Sequence, residues 1–181
     1  MPDATDLQTL CDAVLAASVA ALDTIPGFAP GLEGAPARTF VGAGQPVPDC
    51  CPQLSVNANT IREAPTEPLG LGAGTRHRLG MRLSLVGIQV WIFRCSANGE
   101  NGQPPTEAAL AAVGEQVNAD GWALWNYLWN INRAGSADPI VSLCDEWYMD
   151  ALTPLQPSGG CSGWLLSIRA ELSGYGDGAD P

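Results

Sequence analysis

The segment Arg82 to Cys95 constrains the fold most, because it is apolar on both faces of an extended chain. Val86, Ile88, Val90 and Ile92 alternate on one side, and Leu83, Leu85, Trp91 and Phe93 on the other. Successive strand residues point to opposite faces, so a strand of this composition has to be covered twice. It is therefore expected at the centre of a sheet, with a neighbouring subunit as one source of the second cover. At 181 residues the chain is long enough for one well-buried core and short for two.

Other strands read by alternation. Leu54, Val56 and Ala58 interleave with Gln53, Ser55, Asn57 and Asn59, which predicts a strand to about Ile61 with one buried and one polar face. The closing stretch Pro157 to Leu172 places Trp164, Leu166, Ile168, Ala170 and Leu172 inward and Ser167, Arg169 and Glu171 outward. Arg38 to Val41 has the length of a short edge strand.

Helical spacing governs three segments. Leu7, Leu10, Cys11, Val14, Leu15, Ser18 and Leu22 define a helix over about 5–24, capped by Asp3 or Thr5 and stopped by Pro26-Gly27. Thr106 caps a second helix to about Arg133, with Leu110, Val113, Val117, Leu124, Leu128 and Ile131 as its buried stripe, widened by Trp125 and Trp129. Gly121 weakens its middle by about 1 kcal/mol relative to alanine, and a kink is expected there. A shorter helix is expected from about Pro139 to Met149, with Ile140, Leu143, Cys144 and Trp147 inward. The sum is an α+β fold: a mostly antiparallel sheet of about four strands carrying two or three helices, with a long inter-strand loop. One domain over 1–175 precedes a short acidic tail at 176–181.

Composition excludes several classes of function. The net charge of -11, with all eight basic residues arginine, argues against phosphate neutralisation of nucleic acid. No apolar run reaches the roughly 18 residues of a membrane span, and Met1 to Asp6 lacks the basic start of a signal peptide. A cytosolic site of assembly is expected, and in it six cysteines are expected to be reduced. A bridge among Cys51, Cys95, Cys144 and Cys161 stays open, whereas adjacent Cys50 and Cys51 point apart.

Candidate chemistry is sparse. Gly70 to Thr75 resembles a phosphate loop only superficially, since the chain has no lysine and a strand follows instead of a helix. No Cys-x-x-Cys pair and no Gly-x-Ser-x-Gly elbow occurs, and His77 is the single histidine. Asp145 and Glu146 are adjacent and diverge on a helix, which suits a solvated face better than paired acid–base work. The tryptophans Trp122, Trp125, Trp129, Trp147 and Trp164 are read as core and subunit contacts, because base stacking would need a positive groove. The basic spot Arg76, His77, Arg78 and Arg82, on the long 63–80 connection, is either a solvated loop or a contact to acidic surface that orders on docking.

Three stretches together carry a resemblance: Asp49 to Val56, the aromatic helix around Asp120 to Asn130, and Thr153 to Tyr175, with Arg38 to Val41 beside them. In these the chain resembles the tail terminator, or tail-completion, proteins of long-tailed (siphovirus-type) bacteriophages, especially those of actinobacteria. The likeness spans most of residues 38–175. It implies a structural virion protein without enzymatic activity, catalytic residues, metal or cofactor. Six subunits would form a ring that caps the tail tube, ends its polymerisation and joins it to the head-side stopper or connector protein. DNA would pass through the lumen without specific binding, past acidic side chains that repel phosphate. Glu67, Arg76, His77, Arg78, Arg82, Trp91 and Phe93 are the candidate contact residues. Another neck component, a stopper or adaptor, is the first alternative, and a small enzyme with its site at a subunit boundary is the second.

Overall fold

The computed structural model describes residues 4–27, 33–46, 52–63, 83–97, 104–134, 139–158 and 160–173. The order is α1 (Ala4–Leu22), β1 (Arg38–Val41), β2 (Gln53–Glu63), β3 (Leu83–Cys95), α2 (Glu107–Ala134), α3 (Pro139–Leu143), β4 (Glu146–Ser158) and β5 (Cys161–Ser173). The strands form one five-stranded sheet in the order β1-β2-β3-β5-β4, so β3 is central, as its two apolar faces require. β1 pairs parallel to β2 and every other pairing is antiparallel. The fold is α+β, with a mixed sheet of five strands and three helices.

One continuous core joins the helices to a single face of the sheet. From the sheet it takes Leu54, Val56, Val86, Ile88, Val90, Ile92, Leu166, Ile168, Ala170 and Leu172. From the helices it takes Leu10, Cys11, Val14, Ala21, Leu22, Leu124, Leu128, Ile131 and Ile140. Each large aliphatic side chain buried in this way contributes about 1.5–3 kcal/mol. Thr5 lies inside α1, so it is not the cap, and Asp3 falls outside the described residues. Thr106 does cap α2, its Oγ1 accepting from Ala109 N at 3.2 Å.

Several expectations are corrected. The segment 146–149 is strand, not helix: α3 ends at Leu143 and β4 starts at Glu146. Ile140 and Trp147 are buried as expected, but Trp147 reaches the core from β4. A register shift between Met149 and Ala151 breaks the alternation of β4, and Pro154 sits in it opposite Trp164. Both are tolerated because β4 is an edge strand. The polar side of β2 is solvated only at Asn59. Ser55 and Asn57 are buried, and Asn57 Oδ1 accepts from Trp91 Nε1 at 2.9 Å.

The stripe of α2 also differs from its reading. Leu124, Leu128 and Ile131 are buried, but Leu110 is 51% exposed and Trp129 is exposed, while Gln116 and Asp120 are buried in their place. The helix runs unbroken through Gly121. The reason for glycine there is contact: a Cβ would lie 2.7 Å from Trp164 Nε1, which donates to Val117 O at 2.7 Å. At the β4–β5 turn Gly160 has φ 78°, a region that L side chains rarely adopt.

Helix propensity alone predicts that Gly121→Ala stabilises the protein by about 1 kcal/mol. The indole contact predicts the opposite, a loss of about 1–3 kcal/mol from overpacking. Chemical denaturation of the variant decides between them, and a gain in stability would contradict the packing described here.

Candidate functional surfaces

The helix layer is tied to the sheet by a buried polar hub. Arg94 follows Val86, Ile88, Val90 and Ile92 on the helix-facing side of β3, and its partner Asp120 lies four residues before Leu124 in α2. Arg94 Nε donates to Asp120 Oδ2 at 2.8 Å and Nη2 to Asp120 Oδ1 at 3.0 Å, both side chains being 1% exposed. Gln116 Nε2 donates to Asp120 Oδ1 at 3.0 Å, and Arg94 Nη2 also donates to Gly34 O at 2.6 Å. Ala35 N in turn donates to Asp23 Oδ1, just beyond α1, at 3.0 Å. The hub therefore joins β3, α2 and the segment after α1.

With Asp120 turned inward, α2 presents Trp122 and Trp129 to solvent, with the half-buried Trp125 packed between them and the core. Trp122, Trp125 and Trp129 follow at spacings of three and four, which places them on one side of the helix. Trp122 is 68% exposed and Trp129 is exposed as well. The rings of Trp125 and Trp129 stack with centroids 6.1 Å apart. Burial of an indole adds large apolar area to a contact, so exposed indoles are well suited to one.

A second feature is electrostatic. Asp145, Glu146 and Glu171 gather where β4 begins beside the end of β5; Glu146 and Glu171 are register partners. Burial pushes the Glu171 carboxyl up from the ordinary carboxylate range, and the charges of Glu146 and Asp145 add to the rise. Tyr148 O–H donates to Glu146 Oε2. That bond, with partial burial and nearby carboxylates, holds the phenol up to about 12. Next to them Arg169 pairs with Asp150, Nε donating to Oδ2 at 2.7 Å. Asp150 is the residue skipped by the register shift in β4, which is what brings its side chain to Arg169.

Two open hollows show no catalytic arrangement among the described residues. One, of about 300 Å³, is bordered by Asn132, Cys144, Glu146 and Tyr148; the other, of about 230 Å³, by Gln8, Cys11 and Val41. Burial first, and then the neighbouring carboxylate, pushes the thiols of Cys144 and Cys11 up to about 11. Neither thiol is an activated nucleophile at neutral pH. Among the described residues no group of three or more His, Cys, Asp or Glu could hold a metal ion. No described helix is long and apolar enough to cross a membrane.

Of the sequence-derived contact residues, Glu67, Arg76, His77, Arg78 and Arg82 lie outside the described residues, as do the glycine loop 70–75, Cys50, Cys51 and the 176–181 tail. Trp91 and Phe93 are described: each is 6% exposed, and they stack on each other at 6.2 Å beside Cys161, Leu155 and Leu165. The sequence reads these tryptophans of α2 as core and subunit contacts alike; what leaves Trp122 and Trp129 outside is the polar Gln116–Asp120 step, which turns the buried stripe away from Trp122. No protein-family model matches the chain, and no curated protein sequence matches it.

The clustered carboxylates carry a pH signature. For an acid whose folded pKa is raised, the folded state holds its proton more tightly than the unfolded one. The penalty is absent below the ordinary value near 4.5 and develops as pH rises from there through the higher folded value. Glu171→Gln is expected to remove that penalty, so the variant gains on the parent in melting temperature between pH 4 and pH 7. A gap that stays constant or narrows over this range would contradict the clustering.

Proposed function

We propose that this chain is a structural virion protein, a tail terminator of a long-tailed bacteriophage that acts as one subunit of a closed ring. The observation that carries the reading is the exposed pair Trp122 and Trp129 on α2, flanking the half-buried Trp125, a surface suited to another protein. The sequence resemblance over residues 38–175 supplies the class. The polarity of the sheet edges suits head-to-tail contact, which generates a ring where the rotation closes. Arg38 and Arg62 are exposed at the β1–β2 side, and Asp145, Glu146 and Glu171 gather at the β4 side.

In this reading six copies close around a channel, the ring caps the tail tube and stops its growth, and its other face meets the head-side stopper or connector. The excess of carboxylates, with a net charge of -11, keeps DNA phosphates from adhering to the channel wall. The protein is built in the host cytoplasm and ends in the neck of the virion. It carries out no reaction and holds no cofactor.

Native mass spectrometry and negative-stain imaging of the purified chain test the proposal. The expected result is a ring of about six copies, in line with closed cyclic symmetry, that binds tail tubes and collapses to monomers in Trp122→Glu with an unchanged circular dichroism spectrum. Loss of the gene is expected to give overlong tails. Leaking heads with tails of normal length would instead indicate a stopper, and a monomer that never binds tubes would overturn the assembly reading.

A further inference from the structure

Cys95 closes β3 and Cys161 opens β5, and the two are direct register partners in the antiparallel ladder. The hydrogen bond next to them identifies the kind of pair. Ser96 N donates to Gly160 O at 2.6 Å, linking the residue after Cys95 to the residue before Cys161. That pattern belongs to a non-hydrogen-bonded pair, in which the Cα atoms lie about 4.5 Å apart and the side chains share one face. Disulfides span Cα separations of roughly 4.4–6.8 Å, a range that includes the spacing typical of such a pair. Both residues carry thiols in this structure, Cys161 buried and Cys95 half-buried. The other described cysteines, Cys11 in α1 and Cys144 after α3, face no cysteine across a ladder.

We propose that Cys95 and Cys161 form a redox site, closed to a cross-strand disulfide by thiol–disulfide exchange with a low-molecular-weight disulfide. The more accessible Cys95 reacts first: its thiolate attacks one sulfur of the small disulfide and displaces a small thiolate, leaving a mixed disulfide on Cys95. Cys161 then loses its proton, attacks the Cys95 sulfur and displaces the second small thiolate. Two cysteine thiols are oxidised, one small disulfide is reduced to two thiols, and the two protons end on the released thiolates. The bridge ties the end of β3 to the β4–β5 turn at Gly160 and closes a loop that contains α2. A closed loop of that length restricts the unfolded chain and favours the folded one. The proposal is independent of the ring, because both sulfurs belong to one chain.

The test equilibrates the full chain with graded ratios of oxidised to reduced glutathione, followed by peptide mapping without reduction and by thermal melting. The expected product is a peptide pair joining Cys95 to Cys161 with the loss of two hydrogens, together with a rise in melting temperature. Cys161→Ser should lose the rise and trap glutathione on Cys95. If that buried substitution fails to fold, the half-buried Cys95→Ser should lose the bridge and leave the reduced melting temperature unchanged. A bridge from either residue to Cys50 or Cys51, or glutathione adducts without a bridge in the parent protein, would overturn the proposal.

Discussion

The buried ion pair between Arg94 and Asp120 is the interaction on which the arrangement of this protein depends. An arginine and an aspartate, each 1% exposed, stand where the sheet and its helix layer would otherwise meet through apolar side chains alone. Desolvating two charges costs several kcal/mol per ion, and the cost is offset only by good geometry and full hydrogen bonding. Both conditions are met: the guanidinium grips the carboxylate with two nitrogens, Gln116 donates to that carboxylate, and Gly34 O takes a further guanidinium proton. The pair adds less to net stability than to choice of register. Leucines along α2 could slide against β3 by a turn at modest cost, whereas an unpaired buried charge costs about 3–5 kcal/mol. Against a total stability of about 5–15 kcal/mol, that difference decides which docking is populated.

From this docking follows the division of the tryptophans. Trp164 packs under α2 at Gly121, Trp147 lies in the main core, and Trp91 is bound to Asn57 on the far side of the sheet. Trp122 and Trp129 are left outside on α2. Turning α2 by one residue, about 100°, would swing Trp122 and Trp129 towards or along the sheet and carry Leu124 and Leu128 out of the core centre. The surface proposed to bind other subunits is thus a consequence of a charge pair inside the chain, which links packing to assembly.

Much of the fold is legible in the residues. The alternation of β5 from Trp164 to Leu172, the doubly apolar β3 at the centre and the stripe of α1 all appear where the periodicity puts them. β4 was hidden because Asp150 interrupts its period and Pro154 and Pro157 read as loop residues, although an edge strand accepts both features. The polar face of β2 reads as solvated because nothing local says that Asn57 will meet an indole from β3. Arg94 and Asp120 were missed singly yet are visible as a pair: each continues an apolar face at the period of its own element, and their charges are opposite. The candidate contacts at Arg76, His77 and Arg78 fall outside the described residues, so the surface that emerges is that of Trp122 and Trp129 on α2 instead.

The most direct measurement is a double-mutant cycle in denaturant with Arg94→Met, Asp120→Leu and the two combined. Each single change leaves one buried charge without its partner and is expected to lose about 3–5 kcal/mol, while the double variant loses much less than the sum. Single losses below about 1 kcal/mol that simply add would contradict the account, because the helix layer would then be seated without the charge pair.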